Sequence, residues 1–127
     1  MSDARPWMDL PPAFGDRREA LFGGAGAVRV WELLPDEATE PFAAALACEL
    51  DAGGIVGAHV QSQHAEVVIC LEGLGTAIVD DDARDFAPGV AVYVPLGATL
   101  ALRNDARDAP LRYLIVKAAP TRRAQGA

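Results

Sequence analysis

Four residues able to do chemistry fall within eight positions of one another: His59, Gln61, His64 and Glu66. Two imidazoles, an amide and a carboxylate offer two kinds of chemistry. They can share a divalent cation, because imidazole and carboxylate are common ligands of such ions. Alternatively, an imidazole and a carboxylate facing one apolar pocket can pass a proton to and from a small molecule. Each has a plainer reading beside it: His64 as a solvent-facing turn residue, and His59 with Glu66 as a buried ion pair.

Chemistry at these positions depends on what orients them. His59 and Gln61 are two apart in the run 55–61, which reads as a strand, so both side chains point to one face. Glu66 opens the next run, 66–72, after a turn over 62–65. Val68, Cys70 and Glu72 share its parity, which places a sulfur near the same pocket unless a bulge spoils the count. As a nucleophile Cys70 has no activating partner beyond His59. A carboxylate among Val68, Cys70 and Leu100 is disfavoured as a bare charge, so it must raise its pKa or pair with an imidazolium.

The rest of the chain is patterned in short β-type runs. Strands are predicted over 27–33, 42–50, 55–61, 66–72, 76–79, 90–94, 99–103 and 111–117. Turn residues separate them, including Asp51-Ala52-Gly53-Gly54, the acidic Asp80-Asp81-Asp82 and Ala87-Pro88-Gly89. Short strands at this spacing without helices between them describe a barrel or jelly roll rather than βαβ units. Residues 1–26 read as an N-terminal arm, 27–119 as the barrel and 120–127 as a frayed tail. Within the arm, Asp16 to Glu19 has capping-box spacing and predicts helical turns from Arg17 to Phe22. Trp7, Met8 and Phe14 require a surface to cover, on the barrel or on a second subunit. Trp31, Tyr93 and Tyr113 read as core or interface residues.

Composition narrows the function classes. A chain of 127 residues is one domain long and buries roughly two-thirds of its unfolded surface. With 11 Lys and Arg against 18 Asp and Glu, the net charge of -7 repels nucleic acid and anionic lipid. No apolar stretch has the length of a signal peptide or a membrane span, so a cytoplasmic location is expected. Two cysteines, Cys48 and Cys70, are too few for a disulfide scaffold and read as free buried thiols.

Two spaced motifs resemble the cupin superfamily. The first is Gly53-x5-His59-x-Gln61-x4-Glu66-x6-Gly73, and the second Gly89-x5-Pro95-x-Gly97-x2-Leu100-x3-Asn104. Eight of the ten anchor positions match the family pattern without a spacing error, over about residues 42 to 118. The resemblance implies an all-β, single-domain cupin jelly-roll barrel with a short N-terminal arm, binding a small organic molecule inside. It also implies that Glu66 converges with His59 and Gln61, and that pairing into a homodimer covers open sheet edges.

The two departures bear on activity. In a metal-binding cupin the two histidines of the first motif, its glutamate and the histidine of the second hold one divalent ion. Here those positions read His59, Gln61, Glu66 and Leu100. One expectation is therefore an isomerase, cyclase or lyase acting through His59 and Glu66 alone. A second is a metal-dependent oxygenase or hydrolase, with zinc, iron, manganese or nickel held by His59, Glu66 and either Gln61 or His64. A third is a non-catalytic metabolite-binding module.

Overall fold

The computed structural model describes residues 15–34 and 39–119. Ten strands follow in chain order: β1 Asp16–Glu19, β2 Ala27–Glu32, β3 Phe42–Leu50, β4 Ile55–Val60, β5 Glu66–Glu72, β6 Gly75–Val79, β7 Asp82–Phe86, β8 Ala91–Val94, β9 Thr99–Asn104 and β10 Leu111–Ala118. All pairings are antiparallel. They form a six-stranded sheet in the order β1-β2-β3-β10-β5-β8 and a four-stranded sheet in the order β4-β9-β6-β7.

The two sheets face each other over one core. Alternation supplies it: Val28 and Val30 from β2, Cys48 and Leu50 from β3, Val68 and Cys70 from β5, and Leu111 and Tyr113 from β10 meet Val56, Ala77, Leu100 and Leu102 from the opposite sheet. Phe86 meets Tyr113 edge-on, with ring centroids 6.1 Å apart. A buried leucine or valine of this kind contributes roughly 1.5–3 kcal/mol, so the inward faces hold the barrel closed. Buried Asn104 donates from its amide to the carbonyls of Asp51 (3.0 Å) and Ala109 (2.8 Å) and accepts from the Ala106 N–H (2.9 Å). The asparagine that closes the second motif is thus a tie between loops.

Two strands were not foreseen. The segment expected as helical turns, Arg17 to Phe22, is the edge strand β1 followed by a single 3₁₀ turn at Leu21–Gly23. Pairing with β2 (Arg18 opposite Val28) supplies inter-strand partners that a lone helical turn lacks. The acidic separator is also corrected. Only Asp80 and Asp81 turn; Asp82 begins β7, whose first four residues are exposed and whose Phe86 alone is buried. Its charges hide the strand from an apolar pattern while protecting a sheet edge. The expected arm residues Trp7, Met8 and Phe14 and the tail 120–127 lie outside the described residues.

Candidate functional site: a cationic mouth on an apolar barrel cavity

Between the sheets lies a cavity of about 120 Å³. Its walls are mainly hydrocarbon, and its polar groups are few: Arg18, Cys48, His59, Glu66, Tyr113 and Lys117. Leu100, at the position where the family pattern has its last histidine, lines the cavity and stands opposite His59 in the β4–β9 pairing.

Glu66 enters from the first residue of β5, facing Lys117 directly across the pairing with β10. Its side chain is only 2% exposed, Oε1 has no hydrogen-bond partner among the described residues, and the Lys117 Nζ stands 3.9 Å away. Burial pushes the carboxyl pKa up, and the ammonium of Lys117 offsets part of that rise.

His59 is held by its backbone and by a neighbour. Nδ1 lies 3.2 Å from the Gly57 carbonyl oxygen and Nε2 lies 2.9 Å from the Gln61 Nε2. A carbonyl only accepts, so Nδ1 carries the proton, and Nε2 accepts from the Gln61 amide. Burial lowers the imidazole pKa, consistent with this neutral tautomer. One face of the ring is covered by Phe22, stacked at 3.9 Å and 12°.

Phe22 reaches that position because the 3₁₀ turn is strapped onto β4. The bridge Ala25–Ile55 pins it with hydrogen bonds of 2.9 and 2.7 Å. Gly24 and Gly57 let the two backbones touch: a Cβ on Gly24 would overlap the Ile55 carbonyl, and one on Gly57 the Phe22 carbonyl. Phe22 itself sits in the left-handed region at φ 54°.

The predicted site residues divide. His59 and Glu66 line one cavity, and Gln61 is buried behind His59. His64 turns away, its Nδ1 donating to the Ala118 carbonyl at 3.1 Å. A divalent ion finds a poor donor set here: Gln61 presents its amide nitrogen to His59, Leu100 offers no donor, and His64 is engaged elsewhere. Among the described residues no three His, Cys, Asp or Glu side chains are grouped to hold a metal. His59 and Glu66 alone do not fit the three-ligand minimum of a catalytic site.

Other expectations from parity are corrected. The sulfur lining the cavity belongs to Cys48, not Cys70, which is buried in the core away from it. Burial pushes the Cys48 thiol up to about 12, despite its hydrogen bond with Tyr113, so it stays protonated. Glu72 leaves the inward face because the β5–β10 pairing shifts between Arg112 and Tyr113. It binds Arg112, which also holds Glu49, at 3.0 and 2.7 Å. Of the core-or-interface alternatives, 60% exposure leaves the interface for Tyr93, while Trp31 and Tyr113 are buried.

Sequence reading missed three residues at the mouth. Lys117 was visible in principle, since it shares the inward parity of Tyr113 and Ile115 on β10. Arg18 and Phe22 carried no signal, because their segment lacked an apolar pattern.

Comparison with known proteins agrees with the geometry. The profile of the cupin domain family matches residues 46–117. Among solved structures, a predicted oxalate decarboxylase from Thermotoga maritima superposes with a TM-score of 0.77 at 22% identity, covering 84% of this chain and 92% of that one. A Cupin 2 conserved barrel domain protein from Salinispora arenicola gives 0.68 at 23% identity, covering 92% and 88%. The cupin domain of Schizosaccharomyces pombe Cnp3 gives 0.73 at 14% identity, covering 96% and 77%. At these identities the likeness is one of fold. No curated protein matches the chain. A family profile spanning more than half the sequence, over a two-sheet antiparallel jelly roll, identifies this chain as a member of the cupin family.

Proposed function

We propose that this cupin binds a small organic molecule in its barrel and moves a proton on it, as an isomerase, cyclase or lyase, with Glu66 and His59 handling the proton. The observation that carries the reading is the Glu66 carboxyl: buried, facing the cavity, and with one oxygen unpartnered. A buried carboxyl with spare hydrogen-bonding capacity stabilises nothing in the fold and is suited to a ligand.

The two environments push the two groups in complementary directions. Burial shifts Glu66 toward its undissociated form and His59 toward its neutral form, the directions that suit a proton donor and a proton acceptor on one cavity. On a ligand with a carbonyl, Glu66 donates its proton to the carbonyl oxygen while Nε2 of His59, its lone pair released as the Gln61 amide turns away, takes the proton from the adjacent carbon, giving an enol. Returning the protons to different positions completes an isomerisation. Gln61 serves both states of the imidazole, since its amide nitrogen donates to the neutral ring and its oxygen accepts from the charged one after a flip.

The test is proton NMR of small ketones, aldehydes and hydroxy acids in D2O with the purified protein. Exchange of a carbon-bound proton that is lost in Glu66→Gln and His59→Ala supports the reading. Exchange that persists in both variants, or no exchange in any ligand, overturns it.

A homodimer accompanies this reading. The edges β1 and β7 are charged, which discourages edge pairing there, whereas Phe42 (52% exposed) and Tyr93 flank an apolar groove with Val67 and Val116 on the outer face of the larger sheet. A second copy on that face buries both aromatics. Light scattering that finds one monomeric species contradicts it. Among the described residues no helix is long and apolar enough to cross a membrane.

A further inference from the structure

We propose that the ligand of this cavity is a small monocarboxylate, its anionic head held between Arg18 and Lys117 and its apolar body lying among Leu21, Leu46 and Ile115. The proposal rests on the preceding reading only in taking the barrel cavity as the ligand site.

Charge at the mouth runs against the charge of the chain. The protein carries a net charge of -7, yet the cavity is lined by two permanent cations, and its one acidic side chain is the buried Glu66. Arg18 reaches it from β1, sharing the inward face with its partner Val28, and Lys117 reaches it from the inward face of β10. Both side chains line this one cavity.

Among the described residues, neither cation is fully engaged. The Lys117 ammonium stands 3.9 Å from Glu66, too far for a hydrogen bond. Arg18 meets Asp16 through Nε and Nη2, at 2.9 Å each, in a solvent-exposed pair. Exposed pairs of this type hold weakly, and a guanidinium has five N–H donors, so Nη1 remains for a second carboxylate. Arginine presents a fork that matches a carboxylate, and lysine adds a point charge.

Volume and wall chemistry set the remainder. About 120 Å³ lies well below the roughly 300–1,000 Å³ of sites for drug-sized ligands, so a chain of a few carbons fits. Burial shifts the Glu66 carboxyl toward its protonated form, which eases repulsion of an anion, and its Oε1 has no hydrogen-bond partner among the described residues. An oxo or hydroxy acid therefore offers its carboxylate to the two cations and a further oxygen to Glu66.

Calorimetric titration with butanoate, 2-oxobutanoate, butanamide and butylammonium separates head-group charge from body. The expected result is saturable binding of the two carboxylates, with the amide and the ammonium at least about tenfold weaker. Arg18→Gln and Lys117→Gln each weaken carboxylate binding about tenfold, Arg18→Lys and Lys117→Arg restore most of it, and added salt weakens it. Thermal unfolding of each variant verifies that it is folded. Equal affinity for butanamide, unchanged affinity in both Gln variants, or no saturable binding of either carboxylate overturns the proposal. Carboxylate binding without deuterium exchange keeps this inference and removes the catalytic one; exchange on a neutral ketone with no preference for carboxylates does the reverse.

Discussion

Glu66 and Lys117 face each other directly across β5 and β10, yet their polar ends stand 3.9 Å apart and Oε1 of Glu66 has no hydrogen-bond partner among the described residues. The pair is therefore an unclosed ion pair. Desolvation outweighs attraction, and the carboxyl pKa rises rather than falls.

Stability against pH follows from that sign. A carboxyl whose folded pKa exceeds its unfolded value favours the fold most below the unfolded pKa, and this contribution is lost as pH rises through the folded pKa. Glu66→Gln is neutral throughout, so its melting temperature exceeds that of the wild type by a few degrees at neutral pH and above. The gap closes as pH falls toward the ordinary carboxylate range near 4.5. Melting curves of both proteins across this range decide it; a wild type that gains stability relative to the variant with rising pH contradicts the assignment.

His59 has the opposite dependence. Its folded pKa lies below 6.5, so its contribution is present above that value and is lost as pH falls. Nitrogen-15 NMR of the ring should show the proton on Nδ1 at neutral pH and titration below the ordinary histidine value. A proton found on Nε2 would falsify the tautomer.

Phe22→Ala uncovers the imidazole. Loss of the stacked contact destabilises the protein by about 1 kcal/mol, and the His59 pKa moves back up toward its ordinary value as water reaches the ring. The same NMR titration reads the shift, and an unmoved pKa means that the stack does not desolvate the ring.

Gly57→Ala forces the strap off β4, since the new Cβ overlaps the Phe22 carbonyl. A destabilisation on the order of 2 kcal/mol is expected, with faster amide exchange at Ala25 and Ile55 while β3 and β10 remain protected. Hydrogen exchange that is unchanged at Ala25 and Ile55 contradicts the close approach.

The metal question has a constructive test. Gln61→His with Leu100→His restores three imidazoles around Glu66, so added zinc or nickel raises the melting temperature of the double variant by several degrees. The wild type is unmoved by the same ions or by a chelator. A wild type purified with one equivalent of tightly held metal refutes the donor argument.

Much of the barrel was legible because its signals are local. β3 and β5 run over the residues that alternation predicts, 42–50 and 66–72, and the paired motifs placed His59, Glu66 and Leu100 about one interior. What failed was non-local. β1 and β7 are charged edge strands stabilised by a neighbour, not by their own pattern, and a bulge between Arg112 and Tyr113 reversed the direction of Glu72. Cys48 displaced Cys70 at the cavity for a related reason: parity tells which face a side chain takes, but not how far along the barrel it lies.

The position of Arg18 separates recognition from architecture. It belongs to a four-residue strand at the margin of the larger sheet, paired among the described residues with β2 alone, and it is not one of the buried core residues. Under the proposed carboxylate binding, the head-group preference of the pocket is rewritten by exchanging this short margin while the interior stays intact. A lineage built on such a barrel is free to change diet one edge residue at a time.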